Sequence, residues 1–229
     1  MPETRSPWLV VCAWLLVASG LFVAVAILVD IMNGHRQSMT IMEVTWPVTG
    51  LYMGPLAWWA YWKFGRATTA GKHKISNKHS TKSFWQGVFV SVTHCGGGCT
   101  LGDIISDYLI FLSGIVIAGS SLFTSYLLDF AAAYVLGVFF QYLPIREMGE
   151  TDRKRALIRA IKADTLSLIA FEIGLFGWMA VVQKILFVHA PQPDNPVFWF
   201  MMQIGMVVGF ITAYPANWWL VRKGIKHAM

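Results

Sequence analysis

The chain has 229 residues, of which 56% are hydrophobic and 13% are Asp, Glu, Lys or Arg. That charged share is about half the share of an ordinary soluble domain, which excludes one that must cover itself with polar surface. The net charge is +6, but the basic residues sit between apolar runs rather than on one face, so a lipid partner fits and a nucleic-acid footprint does not.

About 20 apolar residues cross the hydrocarbon core as a helix. Six such runs are predicted: Trp8–Met32, Val44–Phe64, Phe84–Leu112, Leu122–Leu143, Ile161–Val188 and Pro196–Val221. Helices satisfy their own backbone hydrogen bonds where water is absent. The expected fold is therefore an all-α polytopic membrane helix bundle in a single domain covering residues 1–229. The first run reads as a retained helix rather than a cleaved signal, because its apolar stretch exceeds a usual signal core. With both ends of the chain in the cytoplasm, all but Arg36 and Lys184 of the 18 basic residues fall on the inner side, as the positive-inside bias requires.

The loops are short. Gly65–Ser83 is basic and holds His73 and His79, which read as a solvated loop near lipid headgroups. His189–Pro196 is a turn stiffened by prolines. Trp58, Trp59, Tyr61, Trp62, Trp199, Trp218 and Trp219 cluster near span ends, as interfacial anchors do. Pro47, Pro55 and Pro215 are expected to bend their helices.

The third run contains the most informative stretch, Thr93-His94-Cys95-Gly96-Gly97-Gly98-Cys99-Thr100-Leu101-Gly102-Asp103. Cys95 lies about 16 Å into the run at helical rise, near the bilayer midplane. Adjacent glycines weaken a helix, so the third helix is expected to be interrupted there, as in the broken helices of transporters. Cys95, Cys99, Asp103 and Asp107 recur every four residues and share a slowly turning helix face. Two sulfurs with the His94 imidazole suit Cu(I) or Zn. Asp103 and Asp107 would compensate charge or carry protons, since carboxylates inside a membrane are costly. Small residues and cysteines are also ordinary at helix contacts.

Further polar residues lie in or near the runs. Asp30 and Glu43 fall near the outer surface, where they meet water. Lys162 and Asp164 fall near the inner surface and suit a structural pair. Glu172 is deeper and is the strongest second carboxylate, with a functional and a structural role evenly balanced. Asp129, Gln141, Gln203 and Asn217 carry no assigned role. The methionines Met32, Met39, Met42, Met201, Met202 and Met206 read first as packing residues, although thioethers also bind Cu(I).

The segments Trp46–Tyr52, Thr93–Asp103, Ile161–Ser167 and Tyr214–Trp219 resemble the bacterial membrane proteins grouped as domain of unknown function 4396. The resemblance runs from about Met42 to the end of the chain. It implies membrane embedding in the inner membrane of a bacterium, and it implies no reaction.

Three functions remain open. The first is binding or transport of a soft metal ion, Cu(I) favoured, through His94, Cys95 and Cys99, with Asp103, Asp107 and Glu172 lining the path. The second, less favoured, is an enzyme: a membrane thiol–disulfide oxidoreductase using the two cysteines. The third is a non-metal carrier or a structural subunit, for which homo-oligomers are a natural form. The sequence has no phosphate-binding loop or hydrolase elbow, and no catalytic residue is assigned.

Overall fold

The computed structural model describes residues 6–37, 39–67 and 83–226. His73 and His79 lie outside the described residues. Every regular element described is a helix. The elements are α1 (Pro7–Met32), α2 (Met42–Met53), α3 (Pro55–Ala60), α4 (Phe84–Ser113), α5 (Ser121–Glu147), α6 (Arg153–Val181) and α7 (Pro196–Arg222). Wider π-type turns extend α3 over Tyr61–Gly65 and α6 over Val182–Leu186. Helices α1, α4, α5, α6 and α7 are each long and apolar enough to cross a membrane. The chain is thus a multi-pass membrane protein built as a helical bundle.

The helix starts follow local chemistry. The Asp152 carboxylate accepts from the backbone N–H groups of Lys154 and Arg155 at 2.9 and 3.3 Å. Ser120 and Asn195 accept from Phe123 and Val197 at the starts of α5 and α7. These side chains satisfy donors that a helix N-terminus leaves unpaired.

The second apolar run does not cross the bundle. At Gly54 the backbone takes φ +50°, and Pro55, which cannot continue a helix but readily starts one, opens α3. The chain then turns back beside α2. Gly65 touches the Trp46 ring, and the Trp46 and Tyr61 rings meet edge-on at 5.5 Å. The Arg66 guanidinium grips both oxygens of Asp30 at 2.8 and 2.9 Å, and the Tyr61 hydroxyl donates to the same carboxylate at 2.8 Å. Asp30 ends α1, so the run leaves and returns at one end of the bundle.

Met42–Gly65 is therefore a re-entrant hairpin whose tip reaches about 18 Å deep, near the midplane. Such a tip is stable only where protein covers its backbone. Here the Gln203 side-chain amide donates to the Leu51 carbonyl at 2.6 Å, satisfying an exposed end of α2.

This corrects the six-span expectation to five long helices and a hairpin. It also corrects the expectation that both ends share a side. Val10 and Trp14 of α1 line a surface hollow with Pro191–Pro196, where α7 begins. Pro7 and Arg222 consequently lie at opposite ends of the bundle. Asp30 and Glu43 are not simply hydrated either: Glu43 pairs with Arg36 at 2.6 Å. Replacing Arg66 with methionine should loosen the hairpin. The expected result is a lower thermal unfolding midpoint in detergent, since both Asp30 oxygens lose their guanidinium donor.

Helix α4 is continuous through Gly96-Gly97-Gly98, which corrects the predicted interruption. It is also the central helix: 78% of its most apolar window is buried, against 28% for α1. The glycines serve packing. A methyl group at Gly98 would lie 2.8 Å from the Gly137 Cα, and one at Gly102 would lie 2.6 Å from the Ala133 Cα. Gly98 and Gly102 thus form a small-residue seam against Ala133 and Gly137 of antiparallel α5, of the kind that lets membrane helices touch backbone to backbone. This contact offsets the weak intrinsic helix preference of glycine.

Candidate functional site

Because α4 is central, its polar residues are held away from both lipid and water. His94, Cys99, Thr100 and Asp103 have no measurable exposure, and Cys95, Ser106 and Asp107 have 1%, 6% and 7%. From Ser91 to Asp107 these groups cover about 24 Å of helix, most of the hydrocarbon thickness. The neighbouring helices add buried polar groups of their own: Tyr52 from α2, Asp129 and Gln141 from α5, Asp164, Ser167 and Glu172 from α6, and Asn217 from α7.

Many of these groups make no hydrogen bond of ordinary geometry. Among the described residues, both ring nitrogens of His94 and both carboxyl oxygens of Asp103, Asp164 and Glu172 lack a hydrogen bond. So do the Tyr52 hydroxyl, the Thr100 hydroxyl, one oxygen of Asp129 and the Gln141 carbonyl. An unsatisfied buried polar group costs about 1–3 kcal/mol, and more when charged. A protein interior rarely keeps so many together.

The polar column has distinct parts. Toward the basic end of the bundle, the buried Lys226 ammonium donates to Asn217 at 2.9 Å, and the Asn217 amide donates to Ser167. Lys226 lies within electrostatic reach of Asp164 and His94. In the middle, the Cys95 and Cys99 thiols are neighbours; Asp164 lies beside Cys95 and Glu172 beside Cys99. Toward the other end stand Asp103, Asp107 and Asp129, with Ser106 beside Asp129.

The sequence expectation grouped His94 with the two cysteines. The structure brings Cys95 and Cys99 together but turns His94 to α5, where its ring lies 6.4 Å from that of Phe140 and near Gln141. Among the described residues, no group of three or more His, Cys, Asp or Glu is arranged to hold a metal ion. Lys162 and Asp164 do not pair: Lys162 is exposed, whereas Asp164 is fully buried. Tyr52 and Lys226 carried no sequence signal as site residues. Asp129 did, as a lone acid inside an apolar run.

The geometry bears on cysteine chemistry. Side chains four residues apart on a helix have Cβ atoms about 5–6 Å apart. A disulfide needs a Cβ separation of about 3.5–4.5 Å. Closing Cys95 onto Cys99 would require α4 to unwind between its packed glycines. Two sulfurs sharing one ion stand up to about 4.6 Å apart, twice a metal–sulfur bond of about 2.3 Å. Positions four apart on an intact helix can meet that spacing.

A central helix lined with buried acids and thiols inside a lipid-facing bundle defines a multi-pass membrane protein with a polar interior. The family model described as Domain of unknown function (DUF4396) matches residues 84–226, and the chain belongs to that family. The match takes in α4 through α7, hence every carboxylate of the column, and leaves the re-entrant hairpin outside. No curated protein and no solved structure matches the chain.

Proposed function

We propose that this protein carries a small cation across a bacterial inner membrane through the polar interior around α4. The substrate we favour is a soft metal ion, Cu(I) first and Zn second, held between Cys95 and Cys99. The observation that carries this reading is the column of buried, unpartnered polar side chains along one central helix. A bundle without such a use gains stability by replacing these groups with apolar ones.

The residues divide the work by their chemistry. Thiolates select a soft ion, and Cu(I) accepts as few as two sulfur ligands. Asp164 and Glu172 stand beside the thiols and balance the ion's charge. His94 is the next polar step toward the basic end rather than a third ligand beside the sulfurs. Lys226 and Asn217 close that end, so a cation leaving by it has to displace a fixed ammonium.

The basic end is assigned to the cytoplasm. Among the described residues, every Lys and Arg except Lys184 belongs to helix ends and connecting segments of that end, in accord with the positive-inside bias. Reporters fused ahead of Pro7 and behind Arg222 are expected on opposite sides of the membrane. Reporters on the same side would contradict the re-entrant hairpin.

Uptake into proteoliposomes tests the transport reading. Wild-type protein should accelerate Cu(I) entry, and Cys95→Ser and Cys99→Ser should each reduce the rate by about tenfold or more, the scale of a lost 1.4 kcal/mol. Equal rates in wild type and both variants would overturn it.

A further inference from the structure

The half of the interior away from the basic end is built differently from the thiol region. Asp103 and Asp107 extend from α4, and Asp129 faces them from α5; they are 0%, 7% and 5% exposed. Both carboxyl oxygens of Asp103 lack a hydrogen bond among the described residues. The backbone contact of Gly102 with Ala133 sets α4 against antiparallel α5 at this level, so two helices bring three acids to one place.

Among the described residues, no cation pairs with them. The ion pairs among the described residues involve Asp30, Glu43, Glu150 and Asp152. The other titratable groups within electrostatic reach of the three acids are Glu172 on α6, Cys99 on α4 and Tyr126 on α5. None of these brings positive charge. Lys226 lies toward the basic end, by Asp164 and His94. Ionising three carboxyls so close together in an apolar interior is opposed by lost hydration and by mutual repulsion.

We propose that Asp103, Asp107 and Asp129 form a proton-binding site, occupied by protons at neutral pH. This deepens the cation-carrier reading by naming a second ion. Each carboxyl takes up its proton from water at the mouth away from the basic end and returns it there.

Infrared spectroscopy of the full chain in lipid, without metal, tests the site directly. The wild type should show a C=O band of protonated carboxyl groups at neutral pH that shifts in heavy water and fades at alkaline pH. Asp103→Asn and Asp129→Asn keep side-chain shape and should each remove part of that band, with helix content checked by circular dichroism. An unchanged band in both folded variants would overturn the proposal, as would absence of the band in the wild type. Labelling by dicyclohexylcarbodiimide, which attacks protonated carboxyls in apolar surroundings, gives a second measurement. Adducts on this group at neutral but not alkaline pH support the site; pH-independent labelling counts against it. Neither measurement needs a metal, so a protein with a titrating carboxyl band that binds no Cu(I) would sustain the proton site while contradicting the metal reading.

Discussion

Gly102→Val is expected to abolish the folded bundle. A Cβ at this position would lie 2.5 Å from the Ala133 backbone nitrogen and 2.6 Å from its Cα. Backbone atoms of a packed helix cannot step aside as a flexible side chain can. Helices α4 and α5 would have to separate, opening the contact that aligns Asp103 with Asp129 and His94 with Gln141. Overpacking typically costs about 1–3 kcal/mol; here the obstacle is main chain on an antiparallel partner, so the upper end or beyond applies. The readout is the monodisperse fraction after detergent extraction. Gly177, which has nothing within 4 Å of an added Cβ, supplies the control, and Gly177→Ala should extract as the wild type does. Equal behaviour of the two variants would show that α4 and α5 are not in backbone contact.

Asp103→Leu should have the opposite effect on stability. Asp103 is fully buried, and neither carboxyl oxygen has a hydrogen bond among the described residues. Leucine is close in size and removes the cost of an unsatisfied polar group, about 1–3 kcal/mol. The thermal midpoint should therefore rise while cation transport is lost. That combination separates a group kept for function from one kept for structure. If Asp103 holds the bundle together through contacts of its own, the substitution would lower the midpoint instead.

The sequence disclosed the interior better than the path of the chain. The Cys95-to-Asp107 ladder is legible because four-residue spacing survives on any continuous helix, and α4 is continuous. Its glycines misled in one respect. Glycine weakens an isolated helix, but in the bundle the missing side chains admit Ala133 and Gly137, and packing outweighs propensity. The hairpin escaped notice for two reasons. Val44–Phe64 is as apolar as a true span, so hydropathy alone cannot separate crossing from turning back. The charge bias offered no help, because turning the run back keeps the basic connecting segments together on one side and leaves the asymmetry in place. The Gly54-Pro55 pair was the local signal, since it joins a left-handed backbone to a residue that starts helices.

Asp164 shows a different limit. Its distance from the apolar start at Ile161 suggested the membrane surface, yet α6 begins at Arg153, three turns before Asp164, and carries Asp164 into the core. Tyr52 becomes a neighbour of the thiols only through the hairpin, which the sequence did not disclose. His94 and Cys95 are adjacent in the chain, and on a helix adjacent residues diverge by about 100°, so adjacency in the motif separates them in space.

Copper stoichiometry of the purified protein, measured under reducing conditions against a competing Cu(I) chelator, is the most direct trial of cation use by this interior. One Cu(I) per chain with sulfur ligands in X-ray absorption, lost in the Cys95→Ser, Cys99→Ser double variant, is the expected result. A wild-type protein that yields all its copper to the chelator, or a double variant that holds copper equally well, would contradict it.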